Sequence, residues 1–223
     1  MCNQECVLFI AKRMRPHDAA GRKIVEFGSR GLGVRPLIES WDPESYLGVD
    51  VVPGPGVDCV LAVESASKVL GPASYDVALS TELLEHVLDW RAAVGTLKDV
   101  IKPGGRLLIT TRSRGFPYHP NPDDFWRFEA DDMLRIFSDF DILAIERDSA
   151  EPGIFVDAVK PMIYSPNDLS NLELYSILTK RRMVSVSERD VAGVSARVWK
   201  WRHRLLWRAT KFLERLSGSG SSK

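Results

Sequence analysis

The chain has 223 residues, 44% hydrophobic and 27% charged, which fits one folded domain with appendages and excludes a disordered or fibrous class. Thirty basic and thirty acidic side chains cancel, so no overall field recruits nucleic acid. Three cysteines, Cys2, Cys6 and Cys59, are too few and too odd for a disulfide framework and suit a reducing cytoplasm.

Residues 1–20 read as a preface, with a helix over Gln4 to Arg13 that Arg15-Pro16 ends. Its apolar run, Cys6 to Ala11, is too short for a secretory h-region, and no stretch has the length to span a bilayer. The main domain is expected over residues 21–161. Its first strand, Lys23 to Phe27, is a short apolar run carrying an acid, followed at once by the turn Gly28-Ser29-Arg30-Gly31-Leu32-Gly33. Such a run is how a buried parallel strand reads when it delivers a backbone loop to a ligand. A helix near Arg35 to Trp41 leads to a second strand, Tyr46 to Val52. After Pro53-Gly54-Pro55-Gly56 comes a third strand, Asp58 to Val63.

A helix over Glu64 to Leu70 and a break at Gly71-Pro72 precede the fourth strand, Tyr75 to Leu79. The spacing of Leu84, Val87, Leu88, Val94, Leu97 and Ile101 predicts one long helix from Thr81 to Ile101. Lys102-Pro103-Gly104-Gly105 should stop it, before a fifth strand over Arg106 to Thr111. Arg112 to Phe128 is a long irregular segment rich in aromatics and prolines, of the kind that is usually functional. A helix starts at Glu129, and Asp141 to Arg147 and Gly153 to Val159 read as two closing strands paired antiparallel across a short turn.

Residues 162–216 read as a helical extension. It holds a polar helix over Asn167 to Thr179 and a basic amphipathic helix over Val198 to Leu216, with Trp199, Trp201 and Trp207 among its arginines and lysines. Such a helix suits either an anionic membrane surface or a docking face on the core or another subunit. The 217–223 stretch reads as a flexible tail.

Strand, glycine turn, helix, strand and acid form the nucleotide-binding half of an open α/β sheet. The acid Asp50 suits two vicinal ribose hydroxyls, because one carboxylate accepts from both. A dinucleotide is disfavoured, since the turn lacks a clean G-x-G-x-x-G.

The ordered set Val25-Glu26-Phe27-Gly28-Ser29-Arg30-Gly31, Tyr46-Leu47-Gly48-Val49-Asp50, Tyr75-Asp76-Val77-Ala78-Leu79-Ser80, Glu82-Leu83-Leu84-Glu85-His86-Val87 and Lys102-Pro103-Gly104-Gly105 resembles class I S-adenosylmethionine-dependent methyltransferases. The resemblance implies a Rossmann-like α/β fold, a seven-stranded, mostly parallel sheet whose last strand is inserted antiparallel. It implies S-adenosylmethionine as cofactor and S-adenosylhomocysteine as product. By the same resemblance, Glu26 would orient the glycine loop and the cofactor's amino group, and Gly28, Ser29, Arg30 and Gly31 would pass under the methionine portion. Asp50, followed by Val51, would hold the ribose. Ser80, Thr81 and Glu82 would line the methionine side. Where the family often places an acid for adenine, the chain has Ala62 and Val63, with Glu64 beyond, and Arg30 stands where a glycine is more usual.

Glu82, Glu85 and His86 fall at i, i+3 and i+4, one face of the predicted helix. The arrangement resembles the metal motif of small-RNA 2′-O-methyltransferases and ubiquinone-pathway O-methyltransferases, with His119, Asp123 or Asp124 available as a further ligand. The same Glu-His pair is common in metal-free relatives, so the expected state is without metal, and a divalent cation is the alternative. A hydroxyl acceptor needs a base; His119 is the first candidate and His86 the second. Phe116, Tyr118 and Trp126 are expected as walls for the acceptor, with Arg112 and Arg127 for an anionic group on it. The function expected is O-methylation of a small-molecule or glycan- or lipid-linked acceptor in the cytoplasm. The alternatives are a metal-assisted RNA 2′-O-methyltransferase and a non-catalytic nucleotide-binding scaffold.

Overall fold

A computed structural model describes residues 4–187 and 190–191. The predicted amphipathic helix at 198–216 and the tail at 217–223 lie outside the described residues. The chain runs α1 (Gln4–Arg13), α2 (Pro16–Ala19), β1 (Lys23–Phe27), α3 (Arg35–Glu39), β2 (Ser45–Asp50), β3 (Cys59–Val60), α4 (Val63–Leu70) and β4 (Tyr75–Thr81). A 3-10 turn (Leu84–His86) then leads to α5 (Trp90–Val100), β5 (Ile101–Arg112), β6 (Trp126–Arg127), α6 (Ala130–Ile136), β7 (Asp141–Arg147), β8 (Gly153–Val159), β9 (Leu174–Ser176) and β10 (Arg181–Met183). No helix among the described residues is long and apolar enough to cross a membrane.

Seven strands form one sheet in the order β3-β2-β1-β4-β5-β8-β7. The first five are parallel, and β8 runs antiparallel to both its neighbours. Alternation along β1 assigns its residues to opposite faces: Val25 and Phe27 pack with α5 residues such as Val94 and Leu97, and Ile24 packs with Phe9 and Ile10 of α1. The N-terminal preface thus belongs to the core, since α1 buries Cys6, Phe9 and Ile10 on the sheet. Chain order reverses between β1 and β4, and a crevice opens there beyond the carboxyl ends of the strands, where open α/β sheets take ligands.

Three expectations are corrected. The long helix from Thr81 to Ile101 is two pieces. β4 runs on to Thr81, and Glu82 takes a left-handed φ of 53° that no helix accepts. The 3-10 turn follows, and Asp89 then caps α5 by accepting from the Ala92 amide. Apolar spacing alone cannot separate such a turn from the first turn of a helix.

Lys102 to Gly105 does not end a helix before a strand but is a bulge inside β5. Tyr75 pairs with Ile101 and Val77 with Arg106, so the five-residue step is matched by two on the partner. A Cβ at Gly105 would lie 2.8 Å from the Asp76 carbonyl, so only glycine fits the approach.

Residues 167–179 are not a helix. Leu172, Leu174 and Ser176 are buried and alternate with Glu173 and Tyr175, a period of two that forms β9 and pairs it with β6 and β10 in a second, three-stranded sheet. Leu172, Leu174 and Val186 join the α5-side core. This stretch is therefore packed on the domain rather than extended from it. Leu174→Ala is expected to lower the unfolding free energy by about 2–5 kcal/mol in a single cooperative transition, read by urea denaturation. A change under about 0.5 kcal/mol would mean that β9 is detached.

Candidate active site

Beyond β1, β2 and β4 lies a cavity of about 280 Å³. Gly28 and Arg30 form part of one wall, Asp50 and Val51 a second, Val63 and Glu64 a third, and Thr81 and Glu82 a fourth. All eight were named from the sequence. Gly28 has φ 85°, and a Cβ there would press to 3.2 Å on the Thr81 carbonyl and the Leu83 side chain. Asp50 ends β2, and its Oδ1 accepts from the Val52 amide at 2.9 Å.

Glu26, Ser29, Gly31 and Ser80 do not line the cavity. Glu26 is fully buried beneath the loop and accepts from the Tyr46 hydroxyl at 2.5 Å and the Thr81 hydroxyl at 2.9 Å. Burial raises its pKa, and those two hydrogen bonds oppose the shift. Ser29 and Ser80 are buried behind the wall, and the Gly31 amide is used in bonding the Pro55 carbonyl.

Leu61, Ala62, Leu88 and Phe125 also line the cavity and went unassigned to the cofactor in the sequence. Together with Val51 and Val63 they offer apolar faces to a flat base. Asn121 and Pro122 close the other side, and the Arg30 guanidinium donates across to the side-chain Oδ1 of Asn121. No local pattern marks these residues, because they come from three separate connections.

The two arginines expected to meet an acceptor are otherwise engaged. Arg112 is buried and forms ion pairs with Glu82, Asp148 and Glu151. Arg127 is fully buried, holds both oxygens of Asp124 and donates to the Phe116 and Pro117 carbonyls. A guanidinium so buried must be paired this way, since an unpaired buried charge is prohibitive. Trp126 is also core, its indole N–H donating to the Leu88 carbonyl. Phe116 is half-buried, with the Arg112 guanidinium 4.2 Å from its ring centroid, and Tyr118 is buried. These five residues stand outside the cofactor cavity.

His86 and His119 meet with ring centroids 4.7 Å apart, and their electrostatics differ. His86 lines the cavity, and its Nδ1 lies 2.5 Å from the Asp123 carbonyl. A carbonyl only accepts, so Nδ1 carries the proton and Nε2 presents a lone pair. Burial is the first cause of its lowered pKa, with the Glu85 charge opposing, so His86 is neutral at pH 7. His119 lies between two carboxylates: its Nδ1 is 3.0 Å from Asp124 Oδ2 and its Nε2 is 3.7 Å from Glu85 Oε1. Burial opposes its charge, but these two carboxylates outweigh it and lift the pKa to about 9.

Glu82, Glu85 and His86 do not share a helix face. Glu82 turns to Arg112, while Glu85 is fully buried, its Oε2 accepting from the Thr111 hydroxyl. Burial and the Glu85 charge raise the Glu82 pKa well above the usual carboxylate range. Glu85, His86 and His119 place one ligand-capable atom each within 4.8 Å of one another; Glu82, a member of the expected set, is not among them.

A parallel sheet with one antiparallel strand inserted beside its edge, a glycine loop over a cavity at the switch point and an acid ending the second strand define the class I methyltransferase fold. The sequence matches the methyltransferase-domain family over residues 5–147, more than half of its length. The chain belongs to that family and is a class I S-adenosylmethionine-dependent methyltransferase.

Similar solved structures include a 1,6-didemethyltoxoflavin N1-methyltransferase from Burkholderia thailandensis with S-adenosylhomocysteine bound. It is 14% identical over 71% of this chain and 77% of its own, with a TM-score of 0.55. An S-adenosylmethionine-dependent methyltransferase from Mesorhizobium loti is 15% identical over 69% of this chain and 96% of its own, with a TM-score of 0.55. The [4+2]-cyclase SpnF, at 16% identity over 70% of this chain and 80% of its own, reaches a TM-score of 0.51. At such identities the likeness is one of fold, and the cyclase illustrates that this fold alone does not set the reaction. A search of curated protein sequences finds no significant match.

The histidine pair makes a pH prediction. Stability that the His119 imidazolium draws from Asp124 and Glu85 is fully present below the unfolded histidine pKa of about 6.5. It fades as pH rises through about 9. Ring-proton titration by NMR should therefore show His119 still protonated at pH 7.5 and His86 neutral. A His119 midpoint below about 7 would contradict the arrangement.

Proposed function

We propose that the chain transfers a methyl group from S-adenosylmethionine, held in the cavity, to a hydroxyl of a small-molecule or glycan-type acceptor, with His86 as general base. The observation that carries this reading is the neutral, Nδ1-protonated His86 on the wall of the cavity that Gly28 and Asp50 define.

Gly28 lets the backbone approach the methionine portion, and Asp50 takes the ribose hydroxyls. Val51, Leu61, Val63 and Phe125 flank the base. Because the sulfonium is an activated donor, alignment and exclusion of water supply most of the catalysis. The hydroxyl proton passes to His86 Nε2, and Glu85, with Oε1 3.9 Å away, stabilises the imidazolium that forms. His119, the first candidate in the sequence, already holds its proton at neutral pH and cannot accept another; its charge balances Glu85. A neutral amine needs no base before it attacks, so a base held neutral favours an oxygen acceptor.

Calorimetric titration with S-adenosylhomocysteine should give saturable binding that Asp50→Ala weakens at least about tenfold. No binding by the folded wild type would sink the reading. His86→Gln should keep that affinity while the single-turnover rate falls about 10²–10⁴-fold. The rate should survive a chelator; its loss would mean that a cation held by Glu85, His86 and His119 activates the hydroxyl as a Lewis acid.

A further inference from the structure

The small sheet of β6, β9 and β10 helps build a second concavity, apart from the cofactor cavity. It is a cleft of about 370 Å³ on the outer side of the segment after β5, lined by Arg114, Phe116, Tyr118, Arg127, Tyr175 and Lys180 among others. Its charged lining residues are three cations, and no carboxylate lines it. Arg127 is neutralised by Asp124, and Arg114 and Lys180 are the other two cations of the lining.

Arg114 is exposed, and its guanidinium lies over the Tyr175 ring, 4.8 Å from the centroid. That stacking holds a flexible side chain in place without consuming its hydrogen-bond donors. Its guanidinium forms no ion pair among the described residues, although Glu129, Asp131 and Asp132 border the neighbouring cleft that it also touches. Glu129 accepts from the Arg114 backbone amide, and Asp132 pairs with Arg182. Lys180 sits at φ 59° in the turn between β9 and β10, its amide bonded to the Ser176 carbonyl. Burial is the first cause that disfavours its ammonium, with the nearby Arg127 adding to it and Asp124 opposing.

We propose that this cleft is a binding subsite for an anionic group, a carboxylate or phosphate, carried on a flat apolar body. Arg114 and Lys180 take the charge, and the rings of Phe116 and Tyr175 hold the body. The subsite is separate from the cofactor cavity, since Arg114, Tyr175 and Lys180 do not line that cavity. It is nevertheless coupled to the site by contact: the Phe116 ring lies 4.7 Å from that of His119, which lies 4.7 Å from that of His86. The anion is either the charged end of the methyl acceptor, which rests on the methyltransferase reading, or a separate small anion.

The test titrates the full chain with phenylpropionate, its neutral counterpart phenylpropanamide and inorganic phosphate, by ligand-observed NMR. Phenylpropionate should bind saturably, and the amide at least about tenfold more weakly. Arg114→Ala and Lys180→Met should each weaken phenylpropionate at least about tenfold while leaving S-adenosylhomocysteine affinity unchanged, which also reports their folding. Phosphate binding as well as phenylpropionate supports a separate anion, and phosphate failing where phenylpropionate binds supports the acceptor's own charged end. Equal affinity for acid and amide, no binding of either anion, or no effect of the two variants overturns the subsite. Failure of S-adenosylhomocysteine to bind the wild type would sink the methyltransferase reading and leave this test standing.

Discussion

A buried carboxylate underlies the architecture. Glu26 is fully buried in the central strand of the sheet, where an unsatisfied acid would be prohibitive. Its partners come from the strands on either side, the Tyr46 hydroxyl of β2 and the Thr81 hydroxyl of β4. In register Glu26 faces Gly48 and Leu79, so each partner lies two residues along on the same face, within diagonal reach. The bond clamps three strands beneath the glycine turn. Thr81 spends its hydroxyl on this brace and also lines the cavity. The acid that resembles a cofactor ligand in sequence is thus the brace of the ligand site.

Beyond the brace, burial and pairing divide the ionisable groups of the loops into distinct tasks. Arg112, at the end of β5, and Arg127, in β6, are both spent on internal carboxylates. His86 and His119 are in ring contact, yet one faces a carbonyl in a buried wall and the other two carboxylates. Desolvation wins at the first and charge at the second, which separates their protonation states around neutral pH. Under the proposed O-methylation, a pair held apart in this way leaves His86 as the base.

The cores on the two faces of the sheet also explain why the flanking segments matter. α1 covers the face of Ile24, Leu79 and Leu108, and the stretch around Leu174 closes the other face beside Trp126 and Phe128. Neither segment is detachable without opening one side of the sheet to water.

Much of this is legible in the sequence. β1, β7 and β8 have their predicted limits, because apolar runs bounded by glycine or charge have one way to be buried. The eight cavity residues named from the sequence sit at strand ends, in the turns just beyond them or at the start of α4. What the sequence left open depends on neighbours. The break at Glu82, the bulge at Lys102–Gly105 and the strand at Leu174 follow from what the segment packs on rather than from its own propensity. The same holds for function: the ordered motifs carried a resemblance that implied a class I sheet and a cofactor crevice, while only the tertiary structure set the surroundings that separate the two histidines, because a pKa is set by groups that are far apart along the chain and adjacent in space.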